Sequence, residues 1–151
     1  MPVKRRTFKD EYAIFETLRA KGVTVAPFTT SLEDVAGVGL PAVVVARHAD
    51  MPATRTMVAK YGDIVPALAR AAKAHEFFMQ KYVTGHEVAC GVITDGRKIL
   101  PLVPVEAIPR SLHESGAWHM KPAVVDAVQA TAKAAHAAVG AKGHSCVRMV
   151  V

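Results

Sequence analysis

The chain has 151 residues, 51% hydrophobic and 21% charged, which is enough apolar material for one folded domain with a core and excludes wholesale disorder. No apolar run approaches the roughly 18 residues a membrane span requires. The basic opening MPVKRRTFKDEY leads into no secretory-type apolar stretch. Cys90 and Cys146 stand outside any CxxC pair, too few for a disulfide framework, and point to a reducing, intracellular setting.

Nineteen Lys and Arg against thirteen Asp and Glu leave a net charge of +6, so the surface should favour anions. Lys4, Arg5, Arg6 and Lys9 fall in a stretch with no acid. That stretch reads as a solvated basic tail, or as an arm for nucleic acid or an acidic protein surface.

Along the chain, Thr7 and Asp10 have capping-box spacing, and Phe8, Tyr12, Phe15 and Leu18 recur at helical spacing up to Gly22, predicting a helix over about 8–21. An extended stretch over 23–28 follows, then a polar turn over 29–34. The β-branched run after Pro41, 42–45, predicts a buried strand, with 54–59 as its hairpin partner. Asp63 is placed to cap a helix over 64–75, in which Pro66 is tolerated in the first turn. Phe77, Phe78 and Met79 form the next strand core. Segments 87–94 and 98–105 flank Thr94-Asp95-Gly96-Arg97, the strongest hairpin signal in the chain. Residues 106–121 read as a loop. Pro122 opens a long helix with Val124, Val125, Val128, Ala132, Ala135 and Val139 on one face, ended by Gly140 and Gly143. An apolar strand over 146–151 follows. This order predicts an α+β protein.

The wording of these segments resembles the ATP-grasp region of D-alanine–D-alanine ligases. Gly22-Val23-Thr24-Val25-Ala26-Pro27-Phe28 stands where that family has a "GxPxPxF"-like turn. Gly39-Leu40-Pro41-Ala42-Val43-Val44-Val45-Ala46 stands in place of "GLPxVVKP". The most specific match is the hinge "ExxxxEKWLSGPEFTVxxL". It reads here Glu76-Phe77-Phe78-Met79-Gln80-Lys81-Tyr82-Val83-Thr84-Gly85-His86-Glu87-Val88-Ala89-Cys90-Gly91-Val92. Gly140-Ala141-Lys142-Gly143-His144-Ser145 occupies the place of "GCRGYA". The resemblance spans about 7–151 and is weakest over 106–121.

It implies a complete small first lobe over 7–80 and a truncated second lobe over 81–151, behind a basic tail at 1–6. It also implies an adenine site formed by Gln80, Lys81, Val83 and Glu87, for ATP or another adenine nucleotide. Gln80 stands for a carboxylate but still accepts through its amide oxygen. The plainer reading makes Lys81 a surface residue and Glu87 a sheet-edge charge.

The phosphate machinery departs from the family pattern. Its first-lobe lysine position is Val45, and its glycine-rich loop falls on Arg47-His48-Ala49-Asp50-Met51-Pro52-Ala53-Thr54, which has no glycine to let backbone N–H groups approach an anion. Arg47 or Arg55 is left as an electrostatic substitute. The magnesium-binding Asp position is Arg148, which offers donors and no lone pair, so no metal is expected.

Seven histidines, including His113, His119 and His144, show no HExxH or CxxC spacing and read as scattered surface residues. Cys90 and Cys146 read as buried hydrophobes in strands, and Trp118 as a loop aromatic folded onto the core. His86 beside Glu87 is no dyad, because strand neighbours face opposite sides.

The expectation is a non-catalytic ATP-grasp-like module, a binding or structural component of a larger assembly. Its partner, a protein or a second copy, would be reached through the final strand at Val150 and Val151, which presents an open edge. Nucleic acid would be reached through Lys4, Arg5, Arg6 and Lys9. The alternative is an ATP-dependent carboxylate–amine ligase completed by another chain.

Overall fold

The computed structural model describes residues 10–47, 55–71, 76–106 and 120–151, and the chain divides into two units. The first comprises Met1–Glu16 and Val25–Val83, the second Thr17–Thr24 and Thr84–Val151.

Helix α1 (Glu11–Ala20), of which residues 11–16 belong to the first unit, is capped by Asp10, whose Oδ1 accepts the Ala13 N–H at 3.1 Å. Asp10 itself is therefore the cap residue, not the partner in a box; Thr7 and the tail cations lie outside the described residues. Four antiparallel strands follow in the order β1-β4-β2-β3: β1 (Phe28–Thr29), β2 (Ala42–Ala46), β3 (Thr56–Val58) and β4 (Phe77–Lys81). Only Phe28 and Thr29 of the expected stretch 23–28 and its turn pair as strand.

Side chains alternate across the sheet, and both faces are covered, which explains the unbroken apolar run of β2. On one face Phe28, Val45 and Phe78 pack with Tyr12 and Phe15 of α1. On the other, Ala42, Val44, Val58 and Met79 pack against Val35 and Val38 of the short helix α2 (Val35–Val38) and Ala67 and Leu68 of α3 (Ile64–Ala71). A 3-10 turn at Tyr61–Asp63 leads into α3; positions 72–75 of the expected helix lie outside the described residues. No sequence signal had marked α2.

In the second unit, β5 (Glu87–Thr94) is paired on one edge along its whole length by β8 (Gly143–Val150). Its other edge carries β6 (Ile99–Pro101) and β7 (Val105–Glu106). Val88, Cys90 and Val92 face Val128 and Ala132 of α4 (Pro122–Ala138). The predicted hairpin is present: Asp95 Oδ1 accepts the N–H groups of Arg97 and Lys98, each at 2.8 Å, and Gly96 takes φ 92°.

Four expectations need correction here. The strand expected over 98–105 is broken. Val92 pairs with Pro101 and Ala89 with Val105, so the β6–β7 side holds one residue more than β5, a bulge. Leu102 N–H donates to Gly91 O at 2.7 Å, and the Leu102 side chain lies over Gly91, where a Cβ would stand 2.9 Å from its Cδ1 methyl, so any larger residue there would require that methyl to shift.

The final strand begins at Gly143 rather than 146, because β8 pairs along the full length of β5. Cys146 is exposed, since alternation turns its side chain away from α4. His136 is 1% exposed rather than on the surface: its Nδ1 lies 2.7 Å from Ser145 Oγ, and its buried Nε2 has no partner among the described residues.

Candidate functional site

Strand β4 positions Gln80 and Lys81 on opposite faces of the first sheet. Gln80, half-buried, lies between Phe28 and Val43, on the face that carries Phe78. Lys81 turns the other way, and its Nζ donates to Leu40 O at 2.6 Å. Gly39, at φ 71°, lies against that ammonium, where a Cβ would stand 3.5 Å from Nζ. The Lys81 N–H donates to Pro27 O at 2.8 Å and the Tyr82 N–H to Pro41 O at 3.0 Å. Beyond these bonds the chain leaves the sheet, and Tyr82 and Val83 are exposed. Lys81 thus ties the end of β4 to the turn that enters β2. An ammonium has three donors, and Leu40 O is its acceptor among the described residues.

Glu87 opens β5 in the second unit, on the face turned away from α4. Its Oε1 lies 3.5 Å from Nη1 of Arg148 on β8, so the carboxylate expected to hold a ribose already has a cation beside it. His86, one residue earlier, lies with Nδ1 3.5 Å from Glu106, so the two neighbours do serve different partners. His86 and Val151 exchange two backbone hydrogen bonds, both at 3.0 Å. Gly85, at φ 155°, lies where any Cβ would collide with Val151 O and stand 2.7 Å from Val150 Cγ1. Val150 and Val151 therefore close the start of β5 against the end of β8, with about two-fifths of each residue exposed.

The positions expected to clamp phosphate are otherwise engaged. Val45 is 1% exposed, in the core with Phe28 and Phe78. Arg47 donates to both Asp10 oxygens, at 3.2 and 2.6 Å, lies 3.5 Å from Glu76 and stacks 4.8 Å over the Tyr12 ring. The Asp10 hydrogen bonds hold its guanidinium still more firmly protonated than usual. Arg55 lies 2.9 Å from Glu11. Neither arginine was legible as structural, because the partners lie 37 and 44 residues away. Residues 48–54 lie outside the described residues, as do His113, Trp118 and His119.

Among the described residues no three His, Cys, Asp or Glu side chains gather as a metal site would require, and no helix is long and apolar enough to cross a membrane. The Cys90 thiol is pushed up by burial, the opposite of an activated nucleophile. A feature without any sequence signal is the outward face of the second sheet, where Ile93, Leu100, Leu102 and Val105 are exposed beside His144 and Arg148.

No protein-family model matches the chain, and no curated protein matches it. Solved structures do. The D-alanine–D-alanine ligase of Coxiella burnetii superposes with TM-score 0.80 at 18% identity, covering 95% of this chain and 43% of the ligase. The Bacillus anthracis D-alanine–D-alanine ligase complexed with ATP gives 0.76 at 16%, covering 94% and 50%. N5-carboxyaminoimidazole synthase of Aspergillus clavatus, in complex with ADP and 5-aminoimidazole ribonucleotide, gives 0.76 at 23%, covering 96% and 41%. The chain spans half or less of the length of these proteins. At these identities the likeness is one of fold: an ATP-grasp arrangement, in part.

Proposed function

We propose that this ATP-grasp-type chain binds an adenine nucleotide without turning it over and serves as a component of a larger assembly. One observation carries the non-catalytic part. The positions that the resemblance assigns to phosphate and metal hold other chemistry: Val45 lies in the core, Arg47 is held by Asp10 and Glu76, and Arg148, beside Glu87, has no lone pair to offer a metal. The nucleotide part is supported by neighbours of the same fold that carry ATP or ADP and by the chemistry of the remaining groups. Lys81, whose face of the sheet is not that of Gln80, has donors beyond the one it gives to Leu40 O, and Glu87, in the second unit, accepts from hydroxyl groups. Phosphoryl transfer would need a metal and phosphate clamp, which these side chains do not provide.

The test is titration calorimetry with adenosine, ADP and ATP, each with magnesium and with chelator. Adenosine and ATP are expected to bind without magnesium. Glu87→Gln should weaken both about tenfold, as loss of one charged hydrogen bond does. No binding of any of the three sinks the nucleotide reading. The second reading, an ATP-dependent carboxylate–amine ligase completed by another chain, fits the same fold. Magnesium-dependent ATP binding with ADP release would establish that reading instead.

The assembly part rests on the basic segment holding Lys4, Arg5, Arg6 and Lys9 and on the sheet edge near Val150 and Val151. Deleting residues 2–6 should weaken capture of acidic partners at low salt, and unchanged capture removes the tail from the reading.

A further inference from the structure

The hydrogen-bond register of β8 fixes which of its backbone groups are spent. His86 and Val151 form a mutually bonded pair, and antiparallel pairing alternates bonded with non-bonded pairs. Met149, Val147, Ser145 and Gly143 therefore bond toward β5, opposite Val88, Cys90, Val92 and Thr94. The N–H and C=O groups of Val150, Arg148, Cys146 and His144 point away from it. Among the described residues no strand pairs with that far edge.

The side chains sort the same way. Val147 and Met149 sit half-buried at the margin of the α4 core, so an added strand would extend that core with apolar residues on this face. On the other face stand His144 and Arg148, and β8 carries no acid. Among the described residues a carboxylate stands beside Arg148 on the β5 side, that of Glu87, 3.5 Å away. A guanidinium has five donors, so Arg148 has capacity for a second carboxylate on its free side.

We infer that the far edge of β8 accepts an extended segment of an acidic protein, one in which apolar residues alternate with Asp or Glu. This rests on the assembly reading above and names its partner. The backbone ladder supplies affinity, as in other strand additions. The cross-strand neighbours of His144 and Arg148, about 5 Å away, supply selectivity for acids, while Val147 and Met149 select apolar residues on the opposite face.

Residue-resolved amide exchange on the full chain tests it, with two nine-residue peptides as probes, one alternating Val with Glu and the other Val with Lys. In the free chain the amides of Ser145, Val147 and Met149 should exchange slowly and those of His144, Cys146, Arg148 and Val150 fast. The Val/Glu peptide should slow those four and bind at least tenfold tighter than the Val/Lys peptide. A chain carrying His144→Glu with Arg148→Glu should reverse the preference. The inference is overturned by protection of the four amides in the free chain at low concentration, which would show the edge already covered. Protection that appears only with rising protein concentration, showing a second copy as the occupant, overturns it too, as does equal binding of the two peptides. In each of those outcomes the deletion of residues 2–6 still reads the assembly proposal separately.

Discussion

Arg148 stands across the sheet from Ala89, and its guanidinium reaches diagonally to within 3.5 Å of the Glu87 carboxylate. With 72% of the arginine side chain and 50% of the glutamate exposed, such a pair contributes only about 0–1 kcal/mol. Arg148→Ala should therefore move the urea midpoint little. Its effect belongs to ligand binding, because it frees the carboxylate. Adenosine should bind Arg148→Ala at least as tightly as the parent chain, whereas Glu87→Gln binds it more weakly. If both variants lose adenosine alike, Glu87 is not the ribose-binding group.

Lys81 should matter to the first unit whether or not a nucleotide binds. A charged hydrogen bond to a carbonyl contributes about 1.5–3 kcal/mol, and the Lys81–Leu40 bond is partly buried. Lys81→Met, which keeps the aliphatic stem, should lose an amount of that order in urea unfolding. A loss below about 0.5 kcal/mol would fit a surface lysine, since substitutions away from structural features stay within that range.

The two thiols should separate cleanly. Cys90 is buried, with its thiol pushed up by that burial, and Cys146 is exposed. A disulfide reagent at neutral pH should titrate one thiol in the folded chain and two after denaturation. Cys146→Ser should leave a folded chain that does not react, and a fast-reacting Cys146→Ser chain would contradict the burial of Cys90.

The hairpin carries a pH dependence of known sign. The N–H groups of Lys98 and Arg97 hold the Asp95 carboxyl below its usual range. Its contribution is thus fully present above the unfolded carboxylate value, about 3.9, and is lost as pH falls through the lower folded value. The stability difference between the parent chain and Asp95→Ala should be constant from pH 7 to 5 and shrink below pH 4. A difference that grows with acid would reverse the assignment.

What the sequence made legible was local. Thr94-Asp95-Gly96-Arg97 encodes its own turn, Pro122 its helix start, and the β-branched run its strand, because each rests on contacts a few residues apart. What it concealed came from distant pairing. The break at Leu102 shows only in its pairing against Gly91 on the neighbouring strand, and the occupation of Arg47 comes from Asp10 and Glu76. In the last strand, Cys146 reads from the sequence as a buried hydrophobe. Only its pairing with β5 shows that alternate residues face outward. The candidate site divides the same way: the residue types at 80, 81, 83 and 87 could be read, but their carbonyl and arginine partners could not.

His136 gives the joint between α4 and β8 a spectroscopic handle. With Ser145 Oγ 2.7 Å from Nδ1 and Nε2 enclosed without a partner among the described residues, the two neutral tautomers are unequal. A proton on Nδ1 is donated to Ser145 and leaves a bare lone pair on Nε2. A proton on Nε2 would be a buried N–H with no acceptor, the rarer and costlier defect. Of the two neutral forms the Nδ1–H tautomer is the less costly here, and a ring in that form should give one protonated and one pyridine-like nitrogen-15 resonance. Collapse of that pattern into the average of a freely exchanging imidazole would signal helix and strand parting before the rest of the unit melts.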